Sequence, residues 1–190
     1  QQVYNKEKDL KKTYTAVYNI SGNTLFQLAD KEIPHLITAD EGNAPIALLS
    51  TNQPYATEQM WEGRNRYDIY TVNLQTGERR QIKKASNSNM QLAPKGTYAY
   101  WYCVQDSSWY TYSLANGKEY RLITPTTFAA WDEDNDVPDY PSPHGLAGWT
   151  ADDRNLLIYD RYDIWKFDPT AEVAPVNLTV NGRKEQLSYR

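Results

Sequence analysis

The sequence predicts an all-β protein made of about four β-propeller blades, and three observations carry that reading. A hairpin with one turn grammar recurs at blade-like intervals, apolar residues alternate with polar ones where strands are expected, and helical periodicity is nowhere sustained. Aromatic side chains are 13% of the 190 residues, with 16 tyrosines and 6 tryptophans, a content suited to half-buried pleated surfaces.

In chain order, residues 13–20 alternate and are expected to supply the inner strand of a first blade. Residues 24–28 and 35–38 read as its closing hairpin, because Leu28 and Leu36 stand at the eight-residue interval seen again in later copies. The turn Asp40-Glu41-Gly42 then feeds the apolar run Pro45-Ile46-Ala47-Leu48-Leu49. Residues 56–61 could make a turn or two of helix and are read as loop. The clearest hairpins follow. Ile69-Tyr70-Thr71-Val72-Asn73-Leu74 turns through Gln75-Thr76-Gly77-Glu78, and Trp109-Tyr110-Thr111-Tyr112-Ser113-Leu114 turns through Ala115-Asn116-Gly117-Lys118, with the two glycines 40 residues apart. Glycine, Asn and Asp at such positions supply the positive φ that tight hairpins need. A last copy, Asp163-Ile164-Trp165-Lys166-Phe167, closes at Asn177-Leu178-Thr179. The closing residues Leu36, Ile82, Leu122 and Leu178 give periods of 46, 40 and 56, around the ~40–50 residues of a four-stranded blade. Blades are therefore expected at 1–38, 39–84, 85–125 and 126–180, with 181–190 starting a further strand. An antiparallel sandwich is the competing architecture, and two distinct turn types per period favour the propeller.

The long final period holds an acidic, proline-rich insertion at 131–145. Its residues Trp131, Asp132, Asp134, Asp136, Tyr140 and His144 are the candidate substrate- or interface-facing set, with Trp61 a weaker candidate in a loop-like context. The alternating aspartates suggest a calcium loop, but Val137 stands where that loop needs glycine and Pro143 where it needs glutamate. The insertion is accordingly read as a stiff arm over one face. No metal ligand set and no cofactor site are expected. A single cysteine, Cys103, lies in an apolar run and reads as a buried small hydrophobe, and two histidines are too few for a structural zinc site.

The net charge of −4 offers no basic field for nucleic acid, and no apolar run approaches the ~18 residues of a membrane span. The start Gln1-Gln2-Val3 lacks both a methionine and a signal-peptide core and reads as processed or cut.

The segments Pro94-Lys95-Gly96-Thr97-Tyr98, Tyr67-Asp68-Ile69-Tyr70 and Gly148-Trp149-Thr150-Ala151-Asp152-Asp153, with the run from Tyr159 through Asp168-Pro169, resemble the propeller domain of the prolyl oligopeptidase family of serine peptidases. The bacterial dipeptidyl-peptidase-like members are most similar. The resemblance implies a propeller of seven or eight blades, of which these would be a part, over a separate α/β-hydrolase domain, in a periplasmic or secreted protein. The propeller would gate and position peptide substrates for that domain. No catalytic residue is expected in the chain itself, since none of the nine glycines begins Gly-x-Ser-x-Gly and Ser142-Pro143-His144-Gly145 reads as a rigid loop. The alternative is a stand-alone four-bladed scaffold for a protein or small ligand, closed by a returning strand at residues 183–190. A fragment would instead leave sheet edges open, through which homo-oligomers could form.

Overall fold

A computed structural model describes residues 10–123 and 128–190. The chain start Gln1-Gln2-Val3 and the blade boundary expected at 125/126 lie outside the described residues. The first sheet has two strands, β1 (Ala16–Asn19) and β2 (Thr24–Gln27). The second has four: β3 (His35–Ile37), β4 (Ile46–Thr51), β5 (Tyr67–Asn73) and β6 (Arg79–Ser86). The third comprises β7 (Gln91–Leu92), β8 (Tyr98–Cys103), β9 (Ser108–Ser113) and β10 (Glu119–Arg121). In the fourth are β11 (Leu146–Trp149), β12 (Leu156–Tyr159), β13 (Ile164–Phe167) and β14 (Val176–Asn177). Each four-stranded sheet is an antiparallel meander in chain order, the strand arrangement of a propeller blade.

Burial alternates along these strands because successive side chains leave opposite faces. In β4, β5 and β8, which belong to the two middle sheets, both faces are covered by neighbouring sheets and buried residues occur on both, whereas β12 of the last sheet alternates buried and half-buried residues. The core is divided accordingly into three layers. Val17 and Phe26 of the first sheet meet Ala47, Leu49 and Val72 of the second. Leu48 and Ile69, on the second sheet's other face, meet Met90, Ala99 and Trp101. Tyr102 and Trp109 of the third then meet Leu156, Ile158 and Phe167 of the fourth. Each layer is the packing between consecutive blades.

The turns between the first two strands of each full blade are tied in series. The Asp40 N–H donates to the Pro94 carbonyl at 2.8 Å, and Lys95 Nζ lies 2.7 Å from the Asp40 carboxylate. The N–H groups of Lys95 and Thr97 donate in turn to the buried Asp153 carboxylate at 3.0 and 3.1 Å. Gly96 sits in this chain with φ +75°, and a Cβ there would stand 2.8 Å from the Ala44 methyl and 3.1 Å from that of Ala39.

Three local expectations are corrected. His35–Ile37 does not close the first blade; it pairs with β4, Leu36 opposite Leu49, and so opens the second sheet. The Asp30 carboxylate takes the N–H groups of Glu32 and Ile33 at 2.9 and 2.8 Å, a turn that carries the chain away from β2 before β3 begins. The partner of β2 is β1, with Tyr18 opposite Leu25, so the eight residues from Leu28 to Leu36 span two sheets. Residues 56–61 are helical: α1 (Ala56–Glu62) ends at Gly63 in the left-handed conformation, whose N–H reaches the Gln59 carbonyl. The tail forms no strand among the described residues. It contains a short helix, α2 (Gly182–Glu185), held where the Gly182 and Arg183 N–H groups meet Asp163, after which the Tyr189 N–H donates to the Tyr162 carbonyl.

Candidate functional site

In a meander, successive connections alternate between the two ends of the sheet. The β3–β4, β7–β8 and β11–β12 turns thus share one face with the β5–β6, β9–β10 and β13–β14 hairpins, and the β4–β5, β8–β9 and β12–β13 connections share the other with every passage between sheets. The insertion and α1 therefore lie on the same face, although 68 residues lie between them in sequence.

The insertion is closed at its neck by a short antiparallel ladder. Trp131 bridges Pro143, the Asp132 N–H donates to the Ser142 carbonyl at 2.8 Å, and the His144 N–H to the Ala130 carbonyl at 3.0 Å. Beyond the neck three arginines from three separate segments hold it. Arg64, just after α1, lies 2.7 Å from Asp139 with its guanidinium 4.7 Å from the Tyr140 ring centroid. Arg161, between β12 and β13, lies 2.6 Å from Asp134, and Arg183 of α2 lies 2.9 Å from Glu133. The Tyr102 hydroxyl adds a hydrogen bond to the Pro141 carbonyl at 3.2 Å. These exposed pairs are individually weak, but together they fix the loop in one place.

The sequence-predicted residues do not converge. Trp131 is half-buried and packs against the layer between the third and fourth sheets. Asp132 accepts the Asp134 N–H and so caps its own loop, Asp134 is paired with Arg161, and Asp136 is exposed. His144 stays at the neck, where its Nε2 is buried with no hydrogen-bond partner among the described residues. Tyr140 lines a cleft. Trp61 is 86% exposed on α1, beside the equally bare Met60. Cys103 is half-buried, and burial pushes its thiol pKa up, away from nucleophilic use.

Of the clefts on this face, two combine polar groups from several segments. One, of ≈ 370 Å³, lies between the second and third sheets and is walled by Arg64, Asn65 and Tyr67, by Asn87 and Asn89 between β6 and β7, by Gln105, and by the insertion at Asp139 and Tyr140. The other, of ≈ 460 Å³, lies on the fourth sheet between Phe128, Trp165, Asp160 and Arg183. Its two buried aspartates are committed to structure. Asp160 accepts the Tyr162 N–H and the Trp165 indole N–H at 2.7 and 3.1 Å, and Asp163 accepts from Thr179 Oγ1 at 2.5 Å and the Gly182 N–H at 3.0 Å. Among the described residues no three His, Cys, Asp or Glu side chains are placed to hold a metal ion. Nor is any described helix long and apolar enough to cross a membrane.

No family model matches the chain, and no curated protein does. Among solved structures, TolB from Acinetobacter baumannii is 14% identical, with a TM-score of 0.44, and the match covers 88% of this chain and 38% of that one. An oligogalacturonate lyase in complex with manganese is 16% identical, with a TM-score of 0.39, over 85% of this chain and 39% of that one. The chain thus spans about two-fifths of the length of either structure. The four segments that wall the smaller cleft had no signal in the sequence, because amides scattered over 40 residues form a site only once two sheets and the insertion meet.

Proposed function

We propose that the chain is a non-catalytic propeller segment that binds peptide on its insertion-bearing face, and that in its whole protein it gates and positions peptides for a separate α/β-hydrolase domain. The observation that carries the reading is the insertion itself, held over that face by Arg64, Arg161 and Arg183 from three separate segments. A loop fixed at that many points is built to present a surface, and binding residues are commonly carried on loops over a rigid scaffold. The finer part, the peptidase setting and with it a periplasmic or secreted location, rests on the resemblance of the strand and turn segments.

Deleting residues 134–142 in the whole protein tests it. Turnover of peptides of ten or so residues should change severalfold while that of a small chromogenic substrate does not, since only the former must pass the arm. Unchanged turnover of both would remove the gating role. The bare Met60 and Trp61 beside Arg64 support a second reading, a stand-alone scaffold for a protein partner. Under that reading the isolated chain binds its partner with no hydrolase domain present, and Trp61→Ala weakens the complex.

A further inference from the structure

The smaller cleft is electrically balanced and rich in side-chain amides. Arg64 and Asp139 neutralise each other at 2.7 Å, and the carboxamides of Asn65, Asn87, Asn89 and Gln105 join the hydroxyl-bearing Tyr67, Tyr140 and Ser142 as the neutral polar residues of its wall. A carboxamide both donates and accepts, as a peptide group does. The carboxamide oxygen of Asn89 is withdrawn from water and accepts no hydrogen bond among the described residues. A buried acceptor left in that state is unfavourable and marks a place where an incoming N–H is favoured. At ≈ 370 Å³ the cleft is at the small end of ligand pockets, which run to ~300–1,000 Å³, and it suits a short segment better than a folded partner.

We propose that this cleft binds the main chain of an extended peptide, the Asn89 carboxamide turning to bring its oxygen to one peptide N–H and the neighbouring carboxamides pairing with flanking peptide groups. The proposal rests on the reading that this face binds peptide, and it names the subsite. Recognition is then through backbone rather than side chains, so binding is broad in sequence. A negative or positive ligand gains nothing from the balanced Arg64–Asp139 pair.

The test is a titration of the isotope-labelled chain with a capped Ala-Ser pentapeptide and with its backbone N-methylated analogue, followed through the side-chain amide signals. The signals of Asn89 and its neighbours should move with the first peptide, and the N-methylated analogue should bind about tenfold more weakly. Asn89→Ala should weaken binding by a similar factor without lowering the unfolding midpoint, since it removes an unpaired acceptor; a loss of binding that only follows a loss of stability overturns the proposal. Equal binding of the two peptides, or a larger response to a maltooligosaccharide, also overturns it. Shifts confined to other loops of the same face overturn the subsite and leave the peptide-binding reading standing. No shift anywhere on the face overturns both.

Discussion

Asp153 is the residue on which the contact between the third and fourth blades turns. Its side chain is 1% exposed, and it satisfies two N–H groups that belong to the preceding blade. Replacing it with alanine strands both donors out of water, so Asp153→Ala should lower stability by about 2–4 kcal/mol, read as a fall in the urea midpoint. Asp163 adds a pH dependence. Burial opposes its ionisation, but hydrogen bonds from the Thr179 hydroxyl and the Gly182 and Arg183 N–H groups outweigh it and hold the carboxyl below the ordinary range. A carboxyl lowered in the folded state stays ionised where its unfolded counterpart, near ~3.9, takes up a proton. Its stabilisation is therefore complete above that value and fades as pH falls through the folded pKa. Urea midpoints measured downward from neutral pH should drop below about pH 4, and Asp163→Asn should be less stable at neutral pH by a margin that narrows on the acid side. Asp168, lowered by hydrogen bonds from Thr170, Val173 and Glu172 against its own burial, acts in the same direction.

At the scale of elements, two turns separate backbone strain from blade packing. Gly96 and Gly117 both hold positive φ, +75° and +70°, so alanine at either position meets the same left-handed penalty of about 1–2 kcal/mol. At Gly117 a new Cβ meets only the Tyr112 hydroxyl at 3.3 Å, whereas at Gly96 it runs into Ala44 of the second blade. Gly96→Ala should thus be the more destabilising of the two by ~1–2 kcal/mol in thermal or chemical unfolding, the excess being the overpacking between blades. The insertion behaves differently because its ties are exposed. With Arg64 and Asp139 at 44% and 64% side-chain exposure, Arg64→Ala should change stability by less than about 1 kcal/mol. Hydrogen exchange at residues 137–140 should nonetheless rise, since the same guanidinium also packs on Tyr140.

Across the whole molecule, the covered and uncovered sheet faces differ in a way that bears on assembly. The first sheet buries Val17 and Phe26 against the second but turns Tyr18 and Leu25 outward, 55% and 69% exposed. Strand β1 has no partner on its far side among the described residues. Such an edge with apolar side chains beside it is a template for pairing with another chain. The isolated chain should self-associate in sedimentation velocity as concentration rises, and Leu25→Lys should suppress that without moving the unfolding midpoint. Association unaltered by the substitution would place the contact elsewhere.

The repeat of alternation and turn residues determined the all-β class and the hairpins β5–β6, β9–β10 and β13–β14, because those signals are local: a Gly and Asn or, in the last, an Asp-Pro turn, and apolar residues at every second position act within a dozen or so residues. It misplaced the strand at His35 because an eight-residue spacing does not say on which side of the Asp30 turn the partner lies. It also passed over α1, since seven residues with no buried side chain carry no helical periodicity to read. The acidic insertion was legible as a loop, and its position was not. Only the tertiary structure decided that Arg64, Arg161 and Arg183 would meet it and that scattered amides would wall a cleft. Those contacts join residues brought together by the packing of one blade on the next, and no spacing along the chain encodes them.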